Sequence, residues 1–424
     1  MKQKASIMYA LPYGNHHIQF QIPKYFRNIP HTIKPKSLSN KFNNEADALG
    51  KQIQKILALH NIEKDTTVAI VLNDATRLIP NNTIIPPLLR VLLKNKIKKQ
   101  HICFYIATGT HRPPTKDELE KIIPLNKHNY RTHIHDCDNE DLLTYLGQSS
   151  RSTPIFINKE FLQSDLKILT GHIEPHHFMG FSGGVKSAVI GLGGRKTIET
   201  NHFLLSEPNA KMGIYAENPM RMDIEEIGSK IGIDFALNVI LDDKKTISAA
   251  FFGKPNDVME QGIRLSKAVC NIPLDEKYDL AICSAGGYPK DINLYQAQKA
   301  ISHACTFLKH GGVVILAAEC INGFGNQAFE NFVEKEKSPK KIINTFKATP
   351  FTIGPHKAFL LALQALEHRI IIVSNIQSSN PIKTSLFKWA ADMRDALQIG
   401  KSVLDPDAKI AILPYATHVI CCNQ

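Results

Sequence analysis

The clearest structural signal in this chain is HICFYIATGTHRPPTKDELEKI, residues 101–122. Its apolar start predicts a buried strand, and a glycine-containing loop follows. Thr115 then begins a helix, because Glu118 three residues later completes a capping box. The order strand, loop, helix is the building unit of an α/β protein.

The same order of elements recurs along the chain. TTVAIVLND (66–74) predicts a buried strand, and IIPPLLRVLLKNKI (84–97) predicts the helix that follows it. FALNVILDDKKTISAAFFGK (235–254) predicts a pair of strands. From residue 279 onwards, DLAICSAGGYP, YQAQKAISHACTFLKH and GGVVILAAE form a further strand, helix and strand. We therefore expect an α/β fold throughout.

Between these units, NIPLDEKYD (271–279) has the polar, proline-containing composition of a linker. We place the domain boundary there, with residues 1–270 as the first domain and residues 271–424 as a second α/β domain. Each domain is expected to hold a largely parallel or mixed sheet flanked by helices. The cleft between two such domains is a common place for an active site.

Composition excludes several classes of protein. The chain has 424 residues, of which 43% are hydrophobic and 21% charged, and a net charge of +12. The one dense basic block, KNKIKKQ (94–100), falls at a helix end and has no interleaved aromatic residues, so it does not indicate nucleic-acid binding. No apolar run is long enough to span a membrane. Eight cysteines without a CxxC pair indicate reduced core thiols, and we expect a cytoplasmic protein.

Ligands of α/β proteins bind beyond the carboxyl ends of strands, so the loops after strands carry the candidate site. Asp74, Thr76 and Arg77 follow the first predicted strand, and an arginine fork suits phosphate or carboxylate. His111 follows the second strand beside Arg112. This loop predicts a general base next to an anion site. A plain turn with a surface arginine and a bystander histidine is the alternative.

A third loop, GHIEPHHFMGFSGGVKSAVIGLGG (171–194), contains three histidines and seven glycines. Successive backbone N–H groups of FSGGVK can contact a phosphate, and Lys186 adds charge. The segment matches neither a P-loop nor a dinucleotide fingerprint. His176 and, further on, His202 predict a base and a metal ligand, although Pro175 argues against a zinc helix.

The fourth loop, GGYPKDINLYQAQKA (286–300), lies in the second domain. Tyr295 and Lys299 are four residues apart and share a helix face, with Gln296 beside them. A hydroxyl, an amide and an ammonium group together suit a small hydroxy-carboxylate. A capped surface helix is the alternative interpretation.

Taken together, DATR, TGTHR, GHIEPHHFMGFSGGVK, the NH pair at 201–202 and GGYPKDINLYQAQKA resemble the nickel-dependent lactate racemase family. The resemblance implies a nickel-pincer nucleotide cofactor, Ni(II)-pyridinium-3,5-bisthiocarboxylic acid mononucleotide. It further implies a role for each matched residue. Lys186 would attach the cofactor covalently, and His202 would bind the nickel. His111 and His176 would be the acid/base pair. The cofactor's ribose phosphate end would contact Asp74, Ala75, Thr76 and Arg77, and the substrate would contact Tyr295, Gln296 and Lys299.

The resemblance implies an isomerase that interconverts D- and L-lactate. The α-hydrogen of a 2-hydroxy acid anion is a very poor acid, so a histidine alone cannot remove it as a proton. The family instead moves this hydrogen as hydride to the cofactor, through a 2-oxo acid intermediate. The implied partners are a small 2-hydroxy acid and the enzymes that make and load the cofactor, without nucleic acid or membrane.

Three alternatives stay open. The chain could racemise or epimerise a different 2-hydroxy acid with the same cofactor. It could carry the cofactor without turnover, which would not need His111 and His176. A zinc hydrolase built on the histidine cluster is the third alternative, and it lacks a third ligand at a suitable spacing.

Overall fold

The computed structural model describes residues 7–36, 46–60, 62–77, 79–123, 130–242, 245–336, 338–378 and 384–422. The chain forms two compact units. The first unit is Ser37–Val269, and the second unit combines Met1–Lys36 with Cys270–Gln424. Both units contain a parallel or mixed sheet with helices, so the predicted α/β class is confirmed.

The first unit contains a six-stranded sheet. In spatial order its strands are Ile247–Gly253, Phe235–Leu241, Leu166–His172, Val68–Asn73, Ile102–Ala107 and Arg131–Ile134. All neighbours are parallel except the first two, which form the predicted antiparallel pair. Val68–Leu72 is buried on both faces, as is usual for a central strand of a parallel sheet.

The helices of the first unit connect these strands. They are Ala46–Leu57, Asn81–Lys94, Lys116–Ile122, Lys159–Leu162, Lys186–Val189, Arg195–Phe203, Pro219–Ile231 and Pro255–Cys270. Two small antiparallel pairs complete the unit, Leu143–Gln148 with Pro154–Asn158 and Pro175–His176 with Gly180–Phe181. The predicted capping box is present, because the Thr115 side chain accepts from the Glu118 backbone N–H and the Glu118 side chain bonds back.

The second unit contains a parallel six-stranded sheet. In spatial order its strands are Lys388–Ala390, Arg369–Val373, Leu308–Ala317, Tyr278–Ser284, Ile410–Leu413 and His31–Thr32. Its helices are Leu294–Ala297, Lys299–Cys305, Gln327–Lys335, Pro339–Ala348, Pro355–Glu367 and Met393–Lys401. Its core includes Ala281, Val314 and Leu361, all fully buried.

Two features of the second unit differ from the sequence-based expectation. The segment before Lys36 belongs to it, because the hairpin Met8–Tyr13 with His16–Gln21 packs Leu11 against the sheet core. Asn271–Pro273, expected in a linker, pairs in parallel with Ile420–Cys422. The packing of Leu11 and the pairing of Asn271–Pro273 both bring together segments that are far apart in the chain, where local patterns carry no information about the partner.

All eight cysteines are free thiols, as predicted. Within the described residues, no helix combines the length and the apolar character needed to span a membrane.

Candidate active site

His111 and Asp74, which follow neighbouring parallel strands, form a hydrogen-bonded pair. Asp74 directly follows Val68–Asn73, and His111 lies in the loop after Ile102–Ala107. The His111 Nδ1 atom lies 2.6 Å from Oδ2 of Asp74. An ionised carboxylate only accepts hydrogen bonds, so Nδ1 carries the proton and the lone pair of the neutral ring is on Nε2. The hydrogen bond to Asp74 therefore leaves Nε2 of His111 as the ring atom that can accept a proton.

Asp74 is the buried member of this pair. Its side chain is 6% exposed, whereas that of His111 is 39% exposed. Burial by itself raises the pKa of the Asp74 carboxyl, but the hydrogen bonds from His111 and Thr76 outweigh burial, so this pKa lies below its ordinary value. Asp74 is therefore a carboxylate at neutral pH, and it can accept the hydrogen bond that orients the His111 ring.

Ala75, Thr76 and Arg77 form one 3-10 turn after Asp74. The Thr76 hydroxyl donates to Oδ1 of Asp74 at 2.8 Å. Arg77 is half-buried, and among the described residues no carboxylate lies within 4.0 Å of its guanidinium. Arg77 is thus the cation of this turn that is placed to bind an external anion.

Arg112, which the sequence places beside the same base, has a different partner. Its guanidinium donates to both carboxylate oxygens of Glu118 at 2.7 Å. The hydrogen bonds from Arg112 and from the Thr115 backbone lower the pKa of the Glu118 carboxyl to about 2. Arg112 therefore holds the start of the next helix, and the predicted anion site next to His111 does not include it.

His135 connects the His111 loop to the glycines after Lys186. Its backbone oxygen accepts from the Thr108 hydroxyl at 2.5 Å, and its Nε2 donates to Gly193 O at 3.0 Å. Burial lowers the pKa of His135 below its ordinary value of 6.5, and the bond to Gly193 only partly opposes this effect. The neutral imidazole is therefore part of the folded structure.

This burial predicts a pH dependence of stability. Below pH 6.5 the unfolded chain takes up a proton at His135 that the folded chain resists, so stability falls as the pH drops from 6.5 through the lower folded pKa. His135→Gln should cost about 1–2 kcal/mol at pH 8 and reduce the fall towards acidic pH. Urea midpoints at several pH values measure both effects. His17→Gln, at an exposed position, is the control, and an unchanged pH slope in His135→Gln would contradict the prediction.

His176 lies in the small hairpin Pro175–His176 with Gly180–Phe181 and is buried. Its Nδ1 accepts the backbone N–H of Met179 at 3.2 Å. This contact places the proton of the neutral ring on Nε2. The two predicted acid/base histidines therefore have opposite tautomers, with the lone pair on Nε2 in His111 and the proton on Nε2 in His176.

Phe178 brings the predicted base and the predicted metal ligand into one cluster. Its ring centroid lies 4.5 Å from that of His176 and 5.6 Å from that of His202. His177 stacks on His176 at 4.6 Å. His172 lies outside this stack, with its Nε2 3.0 Å from a Glu174 carboxylate oxygen. The sequence analysis assigned no role to Phe178. The one feature of the sequence that could have indicated its contact with the histidines is its position directly after His176 and His177.

Lys186 is buried and begins a short helix directly after the glycine turn. Two side chains of the first unit form hydrogen bonds with the backbone of this turn. Arg221 donates to Gly183 O at 3.0 Å, and Asn238 Oδ1 accepts the Gly184 N–H at 2.7 Å. Gly184 has φ +61°, and an added Cβ would lie 2.6 Å from the Arg221 guanidinium. These contacts fix the position of Lys186.

Arg221 is one of the supports that sequence reasoning missed. Its side chain is 1% exposed and pairs with Glu225, and its guanidinium lies 4.9 Å from the Tyr215 ring centroid. An arginine four residues before a glutamate reads as an ordinary surface pair on a helix. Only its burial beneath the glycine turn indicates its role.

His202 lies on the helix Arg195–Phe203, and its Nδ1 donates to Ile198 O at 2.8 Å. This bond leaves the lone pair on Nε2, which is the usual state of a metal-binding histidine. The helix is anchored one residue earlier, because Asn201 donates to the buried Asp223 at 2.9 Å. Across the described part of the chain, no group of three or more His, Cys, Asp or Glu residues is arranged to hold a metal ion.

The predicted substrate residues lie in the second unit, on Leu294–Ala297 and Lys299–Cys305. The Lys299 ammonium donates to Oε1 of Gln296 at 2.5 Å. Tyr295 packs edge-on against Phe329, with ring centroids 6.2 Å apart. The three groups predicted from the sequence thus lie on two consecutive short helices, with Tyr295 and Gln296 on the first and Lys299 on the second. A cavity of about 400 Å³ in the same unit is lined by Asn322–Gln327, Glu330 and Ile376, and it includes none of them.

Comparisons with known proteins cover both units. A family model described as the lactate racemase N-terminal domain matches residues 13–213, and one described as the lactate racemase C-terminal domain matches residues 274–421. The lactate racemase of Thermoanaerobacterium thermosaccharolyticum is 30% identical over 421 residues, covering 97% of this chain and 98% of that protein. The lactate racemase of Lactiplantibacillus plantarum is 30% identical over 364 residues, covering 83% and 84%.

Solved structures agree with these matches. The lactate racemase apoprotein from Thermoanaerobacterium thermosaccharolyticum superposes with a TM-score of 0.85 and 27% identity, covering 98% of this chain and 100% of that chain. A Thermotoga maritima protein superposes with a TM-score of 0.66 and 18% identity, covering 89% and 98%, which is a likeness of fold alone.

Proposed function

Because this chain belongs to the lactate racemase family, we propose that it interconverts D- and L-lactate with a nickel-pincer nucleotide. Racemases are isomerases, and the chain is an enzyme of that class. The observation that carries the proposal is the 2.6 Å contact between His111 and the buried Asp74. It gives a general base a fixed orientation and tautomer, which a protein that only stores a cofactor does not need.

The first unit contains residues that fit the cofactor. Burying the Lys186 ammonium costs free energy, and an amide-type bond to the cofactor would remove that charge. His202 has its lone pair on Nε2, as a nickel ligand requires. Arg77 would bind the phosphate, with Ala75 and Thr76 in the same turn. When bound, the cofactor would supply an acceptor for the substrate's α-hydrogen as hydride, so that a 2-oxo acid forms instead of a carbanion.

His111 and His176 would be the acid and base of the reaction, and their neutral rings have different tautomers. His111 would take the hydroxyl proton of the substrate at Nε2, and Asp74 would stabilise the resulting imidazolium. In His176 the Nδ1 atom accepts the Met179 N–H, so the neutral ring has its proton on Nε2. It accepts a proton at Nε2 only after the ring gives up its contact with the Met179 N–H, so we assign the first proton transfer to His111.

The substrate contacts would come from Tyr295, Gln296 and Lys299. An ammonium and an amide joined at 2.5 Å offer a charged and a neutral donor to a hydroxy-carboxylate. The further partners would be the enzymes that make and load the cofactor. The eight free cysteines support a reducing compartment, which the cytoplasm provides.

Racemisation of single enantiomers tests the proposal. Protein purified from its native host is incubated with D-lactate or L-lactate, and chiral chromatography follows the product. Each enantiomer should convert to an equal mixture. A panel of larger and dicarboxylic 2-hydroxy acids is run in parallel, and faster conversion of one of these would replace lactate as the substrate. No turnover of any acid by cofactor-loaded protein would favour a carrier.

The covalent cofactor gives a separate prediction. Lys186→Ala should abolish a nucleotide-sized mass increment that the native chain carries, because the alanine has no amine to form the bond. Intact mass of the denatured protein measures this directly. Lys196→Ala removes an exposed lysine from the following helix and should keep the adduct. An adduct that persists in Lys186→Ala would place the attachment elsewhere.

A further inference from the structure

The helix Pro219–Ile231 in the first unit buries two oppositely charged side chains that are two residues apart. Arg221 is 1% exposed and Asp223 is fully buried. Positions two apart on a helix point to different sides of it, so the two side chains contact different segments of the chain. Burying a charge is costly unless hydrogen bonds compensate for it. Here each charge bonds to a group that is close in the sequence to a residue of the proposed site.

One side of this helix lies against the segment that carries Lys186. The Arg221 guanidinium donates to Gly183 O at 3.0 Å. Gly228 follows Arg221 by two helical turns and therefore lies on the same side of the helix. An added Cβ at Gly228 would lie 2.6 Å from Cγ1 and 2.7 Å from Cβ of Val185, the residue before Lys186. The helix thus contacts the lysine segment at two points, and at the second it is too close for any side chain.

Another side of the helix lies against the helix Arg195–Phe203, which carries His202. Asn201, the neighbour of His202, donates to Oδ2 of Asp223 at 2.9 Å and to the backbone oxygen of Met220 at 3.0 Å. Asn201, Asp223 and Met220 are all fully buried. Water therefore does not compete for these hydrogen bonds, and they hold the two helices together.

The start of the same helix contacts the aromatic cluster between the two histidines. Asn218 caps the helix by accepting the Arg221 N–H at 3.2 Å, and its Nδ2 donates to Phe178 O at 2.8 Å. The Phe178 ring packs against the rings of His176 and His202. Within roughly one and a half turns, the helix is thus bonded to the segments of the lysine, of the predicted base and of the predicted metal ligand.

We propose that the helix Pro219–Ile231 sets the separation between Lys186 and His202, so that one cofactor molecule reaches both. The inference rests on the proposed function and adds to it the element that aligns its two anchoring residues. A helix suits this task because its internal hydrogen bonds fix the rise at about 1.5 Å per residue. Its side chains are positioning residues, and each side of the helix acts on one anchoring residue. A change on one side should therefore disturb one anchor and leave the other, whereas a general loss of stability would disturb both.

Gly228→Ala tests the lysine side. Alanine is a better helix former than glycine, so a defect must come from the new methyl group against Val185. Attachment of the cofactor, supplied by the enzymes that make it, should slow by about tenfold to a hundredfold, the size expected for a displaced reacting group. Intact mass over time measures attachment, and nickel per attached cofactor should be unchanged. Ser229→Ala, at the next and exposed position of the same helix, is the matched control and should behave as the native chain.

Asn201→Leu tests the histidine side, because leucine has a similar size but cannot donate to Asp223. EDTA should remove nickel at a concentration about tenfold to a hundredfold lower than in the native protein, as for other losses of support to a metal ligand. The mass increment at Lys186 should persist. Elemental analysis of nickel per chain over an EDTA series gives the result. Equal losses of nickel and of attachment in both variants, or no change in either, would overturn the inference.

Hydrogen exchange of the chain without cofactor separates this inference from the proposed function. Gly228→Ala should speed exchange in residues 183–190, and Asn201→Leu in residues 195–203, by about tenfold in each case. Exchange that rises equally in both segments would refute the inference. If the native protein carries neither a mass increment nor nickel, the proposed function fails and the exchange pattern alone decides. Should a variant fail to fold, Arg221→Lys replaces Gly228→Ala and Asn201→Ser replaces Asn201→Leu.

Discussion

Replacing Asp74 with asparagine is expected to lower kcat by roughly 10⁴-fold while leaving the fold and the lysine-linked cofactor in place. In the native chain Asp74 accepts a hydrogen bond from the Nδ1–H of His111 at 2.6 Å. The asparagine amide can donate to Nδ1 instead and would then hold the ring with its proton on Nε2. That tautomer has no lone pair where the substrate proton must be accepted. Initial rates at saturating lactate, with intact mass measured in parallel, give the result.

The controls separate an orienting role from cofactor binding. Asp74 acts through His111, so the double variant Asp74→Asn with His111→Ala should be no slower than His111→Ala alone. Thr76→Val removes the other side-chain hydrogen bond to Asp74 and should keep kcat within about tenfold. Loss of the mass increment in Asp74→Asn would indicate that Asp74 binds the cofactor. An unchanged kcat would refute its action on His111.

Elements that are stabilised by interactions between residues close in the sequence were predictable. The capping box of Thr115 and Glu118 lies within one helical turn, and the strand pair Phe235–Leu241 with Ile247–Gly253 is joined by a short connection. The pairing of Asn271–Pro273 with Ile420–Cys422 was not predictable. Its three residues look like a linker until the distant strand completes their hydrogen bonds, so only tertiary structure reveals them.

The candidate site shows the same limit at the level of side chains. The position of His111 after a strand was enough to predict a base, because parallel strands bring their following loops to one edge of the sheet. Its partner was not evident, since Asp74 lies 37 residues earlier and read as part of a phosphate-binding turn.

His202→Ala is expected to remove nickel and activity but to keep the mass increment at Lys186. The Nδ1 bond to Ile198 leaves Nε2 as the ligand nitrogen, and the covalent bond forms at a different residue. A catalytic metal is worth several kcal/mol of transition-state stabilisation, so kcat should fall by at least about 10³-fold. Elemental analysis of nickel per chain, intact mass and racemisation rate are measured on the same preparation.

His177→Ala is the matched control for this experiment. It deletes an imidazole from the same aromatic cluster, since His177 and His202 both pack against Phe178 at ring-centroid distances of 4.2 and 5.6 Å. If loss of aromatic packing were the cause of nickel loss, both variants would lose the metal. If His202 is the ligand, only His202→Ala does, because its Nε2 lone pair has no substitute in alanine. Nickel retained in His202→Ala and lost in His177→Ala would transfer the ligand role to His177.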